Sequence, residues 1–333
     1  MSAGMKTYAR EHRARLPRIA PDLQFIEVGR GDNYGWDESV WLPQEIRRRG
    51  AALTHYLCLH APVIPPRPFV ITIHDLIHLR FPQWFEKNLN RYYHTVIRFQ
   101  LWRAARLITD DERTVEDFVR FLGVRREKIR TIPLGAGEAF FHPAAPHDAP
   151  RPYFLYAGNH YVHKNLPTLA RAWAALPSQH DVDLYITGRN DLDDLRAEYR
   201  RERGSIVVLG HVEEMALVSY YAGATALVHA AFVEGFGLPL LEAMAQGCAV
   251  VACRDAIPAV LKDAAFAFAP TDWREAAAHM ERLLVDSELR RAAIARGRTI
   301  AAPYTWDRCV SRTADVYREV LAERSGRARA ARA

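Results

Sequence analysis

Two carboxylates eight positions apart, Glu234 and Glu242, frame the segment Glu234-Gly235-Phe236-Gly237-Leu238-Pro239-Leu240-Leu241-Glu242. An apolar run, Ala226-Leu227-Val228-His229-Ala230-Ala231, feeds into it and reads as a buried strand. The stretch after it reads as a helix, with Pro239 near the first helical position, where a missing N–H costs nothing. Gly235 and Gly237 bracket the turn and allow a ligand to approach the backbone. The free N–H groups and positive dipole end of the helix favour a phosphate there. Glu234 in the turn can accept bonds from hydroxyl groups, and Glu242, about one turn into the helix, can face the same crevice. Such a site suits a ligand carrying several hydroxyls and a phosphate, as a nucleotide sugar does.

A second loop supplies the opposite charge. Gly158-Asn159-His160-Tyr161-Val162-His163-Lys164-Asn165-Leu166 follows a strand and opens a helix, so Lys164 sets a point positive charge beside a helix N-terminus, a combination that holds a diphosphate. A cation at a helix start is locally unfavourable without an anion, which favours a ligand over a solvated lysine. His74-Asp75 closes the run Phe69-Val70-Ile71-Thr72-Ile73; a histidine there can donate to a sugar hydroxyl or leaving phosphate, while Asp75 reads as a turn cap. Asp110-Asp111-Glu112 reads as the favourable acidic start of a helix, and Asp191-Leu192-Asp193-Asp194 as a solvated first turn, so no catalytic metal is expected.

Together, Glu-Gly-Phe-Gly-Leu-Pro-Leu-Leu-Glu-Ala-Met-Ala, the Gly-Asn…Lys-Asn-Leu loop and Ile73-His74-Asp75-Leu76-Ile77 with Arg80-Phe81-Pro82 resemble the motifs of retaining glycosyltransferases of family 4. The His-Asp-Leu pattern is most like that of bacterial mannosyltransferases of surface polysaccharide synthesis. The resemblance implies the GT-B fold: two Rossmann-like, doubly wound parallel-sheet α/β domains facing a central cleft. It assigns the ribose hydroxyls to Glu242 and the diphosphate to Lys164 with the helix amides. It assigns the transferred sugar to Glu234 with Gly235, Phe236 and Gly237, adjoined by Leu238, and brings His74 to that sugar. Gly158 and Asn159 shape the diphosphate loop. Many family members carry an arginine where Asn159 stands, and Arg189 is a candidate for the second positive charge. Ala230-Ala231 replaces the usual Pro-Ser, and Ile257-Pro258-Ala259-Val260 lacks the usual acidic residue.

The implied reaction moves a hexose, mannose first, from GDP-mannose, with UDP-glucose next, to a polysaccharide or lipid-linked glycan acceptor, with no cofactor and with anomeric retention. The other readings are a degenerate, non-catalytic protein that binds a nucleotide sugar or a partner, and a sugar-nucleotide epimerase. A phosphorylase would need a pyridoxal-phosphate lysine, of which the sequence gives no sign.

These residues must be positioned by strand–helix alternation, which predicts parallel sheets. After the proline-rich stretch 142–152, strands are predicted at Tyr153–Ala157, Val182–Thr187, Ile206–Leu209, Ala226–His229, Ala249–Cys253 and Phe266–Ala269. Before it, Gln24–Val28, Thr54–Leu57, Phe69–Ile73 and Leu107–Thr109 read as strands. Gly4-Met5-Lys6-Thr7-Tyr8-Ala9-Arg10 is similar to the Gly loop and helix start that follow the family's first strand. That strand is missing from this chain, which predicts a truncated start. The predicted division is 1–146 for the acceptor-side domain, 147–303 for the donor domain, 304–322 for a closing helix that crosses back, and 323–333 for a disordered basic tail.

Composition sets the limits. The 333 residues are 49% hydrophobic and 25% charged, ordinary values for a globular chain. The net charge of +6 gathers at the two ends, which suits a peripheral touch on anionic lipid. No nucleic-acid-binding module is discernible. Four scattered cysteines give neither a disulfide framework nor a zinc site. With no apolar run of membrane-spanning length, the expected setting is cytoplasmic, with peripheral association at the inner membrane face.

Overall fold

The computed structural model describes residues 3–29, 38–59, 61–85 and 87–330. The chain divides into two units, Met1–Leu134 with Trp306–Ala333, and Gly135–Thr305.

The first unit carries a parallel sheet of β1 (Thr54–Tyr56), β2 (Phe69–Thr72), β3 (Arg106–Thr109) and β4 (Ile129–Thr131), in that spatial order. Every residue of β2 is buried, as the continuous apolar run required of a strand covered on both faces. β4 escapes the sequence pattern because Arg126, Lys128 and Arg130 crowd it. Gln24–Val28, expected as a strand, is irregular. Phe25, with Leu23 just ahead of the segment, packs on Leu16, Ala20, Val310, Ala314 and Tyr317, where helices Ala3–Ile19 and Trp306–Ala330 meet. Gly4 lies inside the first of these helices.

The closing helix runs on to Ala330, past the point at which the basic tail was expected to lose order. Arg106 bonds Glu319 and Glu323 from β3, and Arg324 donates to the Ala52 carbonyl at 2.5 Å, so the helix is tied to the unit as far as Arg324.

The second unit holds six parallel strands: β5 (Tyr153–Tyr156), β6 (Asp183–Thr187), β7 (Ile206–Gly210), β8 (Ala226–His229), β9 (Val250–Cys253) and β10 (Ala265–Phe268). Their order is β10-β9-β8-β5-β6-β7, a doubly wound sheet that reverses direction between β5 and β8. Ligands bind such sheets at the carboxyl ends of strands beside that reversal. The loops after β5 and β8 are the two that carry Lys164 and Glu234. The proline-rich stretch packs on this unit: the His147 N–H donates to the Ser219 carbonyl at 2.9 Å, and its ring lies 4.2 Å from that of Tyr220. The division therefore falls ahead of it, between Leu134 and Gly135.

Candidate functional site

β8 ends at His229, and after a short loop the helix Leu238–Gln246 begins. Gly237 caps that helix with φ of 74° and ψ of 54°, a left-handed conformation that glycine adopts without strain. Pro239 sits in the first turn and the Leu240 N–H donates to the Gly237 carbonyl at 3.0 Å, so the helix starts with no side-chain cap and its positive dipole end faces the loop. Opposite, β5 gives way to Gly158, whose N–H donates to Thr187 Oγ1 at 3.1 Å. A Cβ there would stand 2.9 Å from the Tyr156 hydroxyl oxygen. That hydroxyl donates to the Asn159 carbonyl at 2.6 Å, fixing the loop. Lys164 ends a short 3-10 turn, and the helix Leu166–Ala174 follows at once. The Phe232 N–H donates to the His163 carbonyl at 2.8 Å and stitches the two loops together.

The chemistry gathers at this stitch. Lys164 Nζ donates to Glu234 Oε1, and His229 Nε2 donates to the same oxygen at 2.7 Å. All three side chains are largely buried, with 11% of Lys164, 12% of Glu234 and 1% of His229 exposed. Burial alone would raise the Glu234 pKa. Lys164 and His229 outweigh it and hold the carboxyl well below the usual carboxylate range. The His229 ring stacks on Tyr156, with centroids 5.9 Å apart and planes at 8°, so the donor that orients Glu234 is itself clamped.

Glu242 occupies a different environment. It is half-buried in the helix Leu238–Gln246, and Tyr221 donates to its Oε2 at 3.3 Å. Removal from water and the nearby Glu214 carboxylate push its pKa up to about 7, although the Tyr221 bond pulls the other way. The two glutamates are thus tuned apart: Glu234 is a fixed anion, and Glu242 changes charge near neutrality.

The structure brings Lys164 and Glu234 into direct contact, with Gly235, Phe236 and Gly237 buried in the same turn and Leu238 half-buried after it. Arg189 stands apart from this cluster. Its side chain is 78% exposed, with Nε 3.9 Å from Asp191. Asp191 accepts from His160 Nδ1 at 2.6 Å, while Asp193 and Asp194 lie in the first turn of a helix.

In the first unit, His74 follows β2 and is held on two sides. Its Nδ1 donates to Asp110 Oδ2 at 2.6 Å, and the Tyr8 ring packs edge-on at 4.8 Å. Burial opposes a charged imidazole, but the Asp110 carboxylate outweighs it and lifts the His74 pKa above its ordinary value. Nε2 is buried with no hydrogen-bond partner among the described residues. The acidic run after β3 thus divides its work. Asp111 caps the helix Glu112–Leu122 through the Arg113 N–H, as expected, whereas Asp110 turns inward to His74. Asp75 caps its turn by accepting from the Ile77 N–H at 3.1 Å.

Sequence reasoning missed two residues, His229 and Asp110. Each is a polar group at the end of an apolar strand at the sheet's carboxyl edge. That position was a usable signal, although periodicity alone makes both look like core.

A family model described as "Glycosyltransferase Family 4" matches residues 8–137, and one described as "Glycosyl transferases group 1" matches residues 138–300. The chain belongs to glycosyltransferase family 4. The transferase is similar to O-antigen chain mannosyltransferase B of Escherichia coli, with 29% identity over 75% of this chain and 70% of that one. It is also similar to the MMP alpha-(1->4)-mannosyltransferase of Mycolicibacterium hassiacum, with 27% identity over 77% and 66%. The transferase spans about two thirds of the length of the curated relatives it matches. Its fold is that of Anabaena HepE, solved in complex with UDP-glucose: the TM-score is 0.70 at 17% identity, covering 84% of this chain and 82% of that one. The architecture is GT-B.

Proposed function

We propose that the transferase moves a hexose, mannose first, from a nucleoside diphosphate sugar to a glycan or lipid-linked acceptor with retention of anomeric configuration. The observation that carries this reading is the Lys164–Glu234–His229 cluster beside two helix N-termini. A buried carboxylate kept ionised can grip sugar hydroxyls, while the lysine and helix amides meet a diphosphate. GDP-mannose is the first donor to test, because the similar curated proteins are named mannosyltransferases. UDP-glucose is the next, as the sugar nucleotide bound by HepE.

In the proposed reaction the bond between the anomeric carbon and the diphosphate oxygen breaks while the acceptor oxygen bonds to the same face of that carbon. The acceptor proton passes to the departing diphosphate. Lys164, held in place by Glu234, stabilises the negative charge growing there, so little reorganisation is needed. Glu234 fixes the sugar, Glu242 the ribose. His74, its Nδ1 proton engaged by Asp110, offers Nε2 to a substrate hydroxyl. The enzyme works in the cytoplasm, where nucleotide sugars are made.

The test is transfer from GDP-mannose to a mannose-bearing or lipid-linked acceptor, with the product's anomeric proton read by NMR. An α-linked product from the α-linked donor supports the reading. A β-linked product refutes retention, and donor binding without any transfer refutes catalysis.

A further inference from the structure

One side chain of the loop 158–165 turns away from solvent toward β6. Asn159 and Tyr161 are exposed, whereas His160 between them keeps only 5% of its side chain in water. Its ring bridges two groups beyond the end of that strand. Nδ1 donates to Asp191 Oδ1 at 2.6 Å, and Nε2 donates to the Thr187 carbonyl at 2.8 Å. A carboxylate and a carbonyl oxygen only accept, so the ring gives a hydrogen at each end. The bond to the carboxylate is of the stronger, charge-assisted kind. It is also the first cause that holds the Asp191 carboxyl below its usual range.

The crossing is tight. Gly188 follows β6 with φ of 113°, and a Cβ there would stand 2.6 Å from His160 Nε2 and 2.9 Å from the Gly158 carbonyl oxygen. Thr187 serves the same crossing twice, since its hydroxyl takes the Gly158 N–H while its carbonyl takes His160. Asp191, expected as part of a solvated first turn, instead precedes the helix Asp193–Glu198 and fastens this crossing. Arg189 Nε lies 3.9 Å from the other Asp191 oxygen, beyond hydrogen-bond distance, so His160 is the closer partner.

We propose that His160 and Asp191 are positioning residues for the donor, a latch that fastens the loop after β5 to the end of β6. The loop is then held at its start by His160 and at its end by the Phe232 bond to the His163 carbonyl. Lys164 and the N-terminus of the helix Leu166–Ala174 follow directly, and they meet the diphosphate already ordered. Ordering the loop during folding spares that entropy cost at binding. Neither ring nitrogen of His160 is left for phosphate, so the latch acts through the loop. The proposal rests on the reading of this loop as the diphosphate site.

The test pairs amide hydrogen exchange of the unliganded protein with calorimetric titration of GDP and UDP. His160→Ala removes both arms of the latch. Asp191→Ala and His160→Gln each keep only the arm to Thr187, because a glutamine amide nitrogen falls near the place of Nε2. Exchange within 158–165 should rise about tenfold in His160→Ala, and the affinity for the nucleotide that the parent binds should fall about tenfold. Asp191→Ala and His160→Gln should match each other and fall between His160→Ala and the parent. Asp191 is 48% exposed, so its replacement should leave folding intact even if His160→Ala does not fold. Unchanged exchange in the loop overturns the proposal. So does a lowered melting temperature with undiminished nucleotide affinity, the result of a pair that only stabilises the unit. A parent chain that binds neither GDP nor UDP overturns the diphosphate reading, and with it the donor role of the latch.

Discussion

Replacing Glu242 by glutamine should make the transferase more stable and less able to bind its donor at once. The carboxyl is half-buried near Glu214, and its pKa rises from an ordinary 4.5 to about 7. That gap of 2.5, at about 1.4 kcal/mol per tenfold change in proton affinity, gives roughly 3.4 kcal/mol as a ceiling. Residual contact with water brings the expectation to about 1–3 kcal/mol. The sign follows from proton linkage. The folded state holds this proton more tightly than the unfolded state, so the group's favourable contribution is complete below pH 4.5 and is lost as pH rises through 7. Glutamine stays neutral and avoids that loss. Urea unfolding at pH 5 and pH 8 should show Glu242→Gln gaining stability over the parent at pH 8 and little at pH 5. Calorimetric titration with GDP-mannose at pH 8 should show affinity falling about 10- to 100-fold, because a charged acceptor for ribose hydroxyls is gone. Equal gains at both pH values, or a loss at pH 8, would refute the electrostatic reasoning. Undiminished affinity would remove Glu242 from the site.

Other variants probe the remaining parts. Lys164→Ala should raise the barrier by about 2–4 kcal/mol, read as kcat/KM; unchanged turnover would free the lysine from any role at the diphosphate. Asp110→Asn keeps the shape around His74 but removes the charge that lifts its pKa. The rate should drop at least about tenfold, and any acid limb set by His74 should move to lower pH; a merely structural Asp110 would leave the pH profile in place. Chelation by EDTA should leave turnover intact, since Lys164 and the helix amides supply the positive charge. A loss restored by magnesium would contradict that assignment.

The donor half was legible because its determinants are local. Glycine, proline and glutamate spacing in 234–242 specify a strand, a turn and a helix start with little help from distant contacts. Lys164 was legible for the same reason, as a cation placed where the helix dipole disfavours one. What periodicity cannot show is which partner a buried polar group meets. His229 and Asp110 read as strand-end residues until the fold sets Glu234 and His74 beside them. The fate of Gln24–Val28 is equally non-local. Its apolar residues suit a strand, but Phe25, with Leu23 just before the segment, is drawn to the junction of two helices whose sequences lie at opposite ends of the chain. The division between units also depends on tertiary contact: prolines marked 142–152 as a linker, yet His147 anchors that stretch to one unit.

Calorimetric titration of the parent chain, Glu234→Gln and Lys164→Ala with GDP-mannose, alongside GDP and free mannose, tests the donor site most directly. Expected are binding of GDP-mannose by the parent, loss of discrimination between GDP-mannose and GDP in Glu234→Gln, and weakened binding of both nucleotides in Lys164→Ala. Equal affinities for all three proteins would show that the Lys164–Glu234 pair holds the fold together and grips no sugar nucleotide.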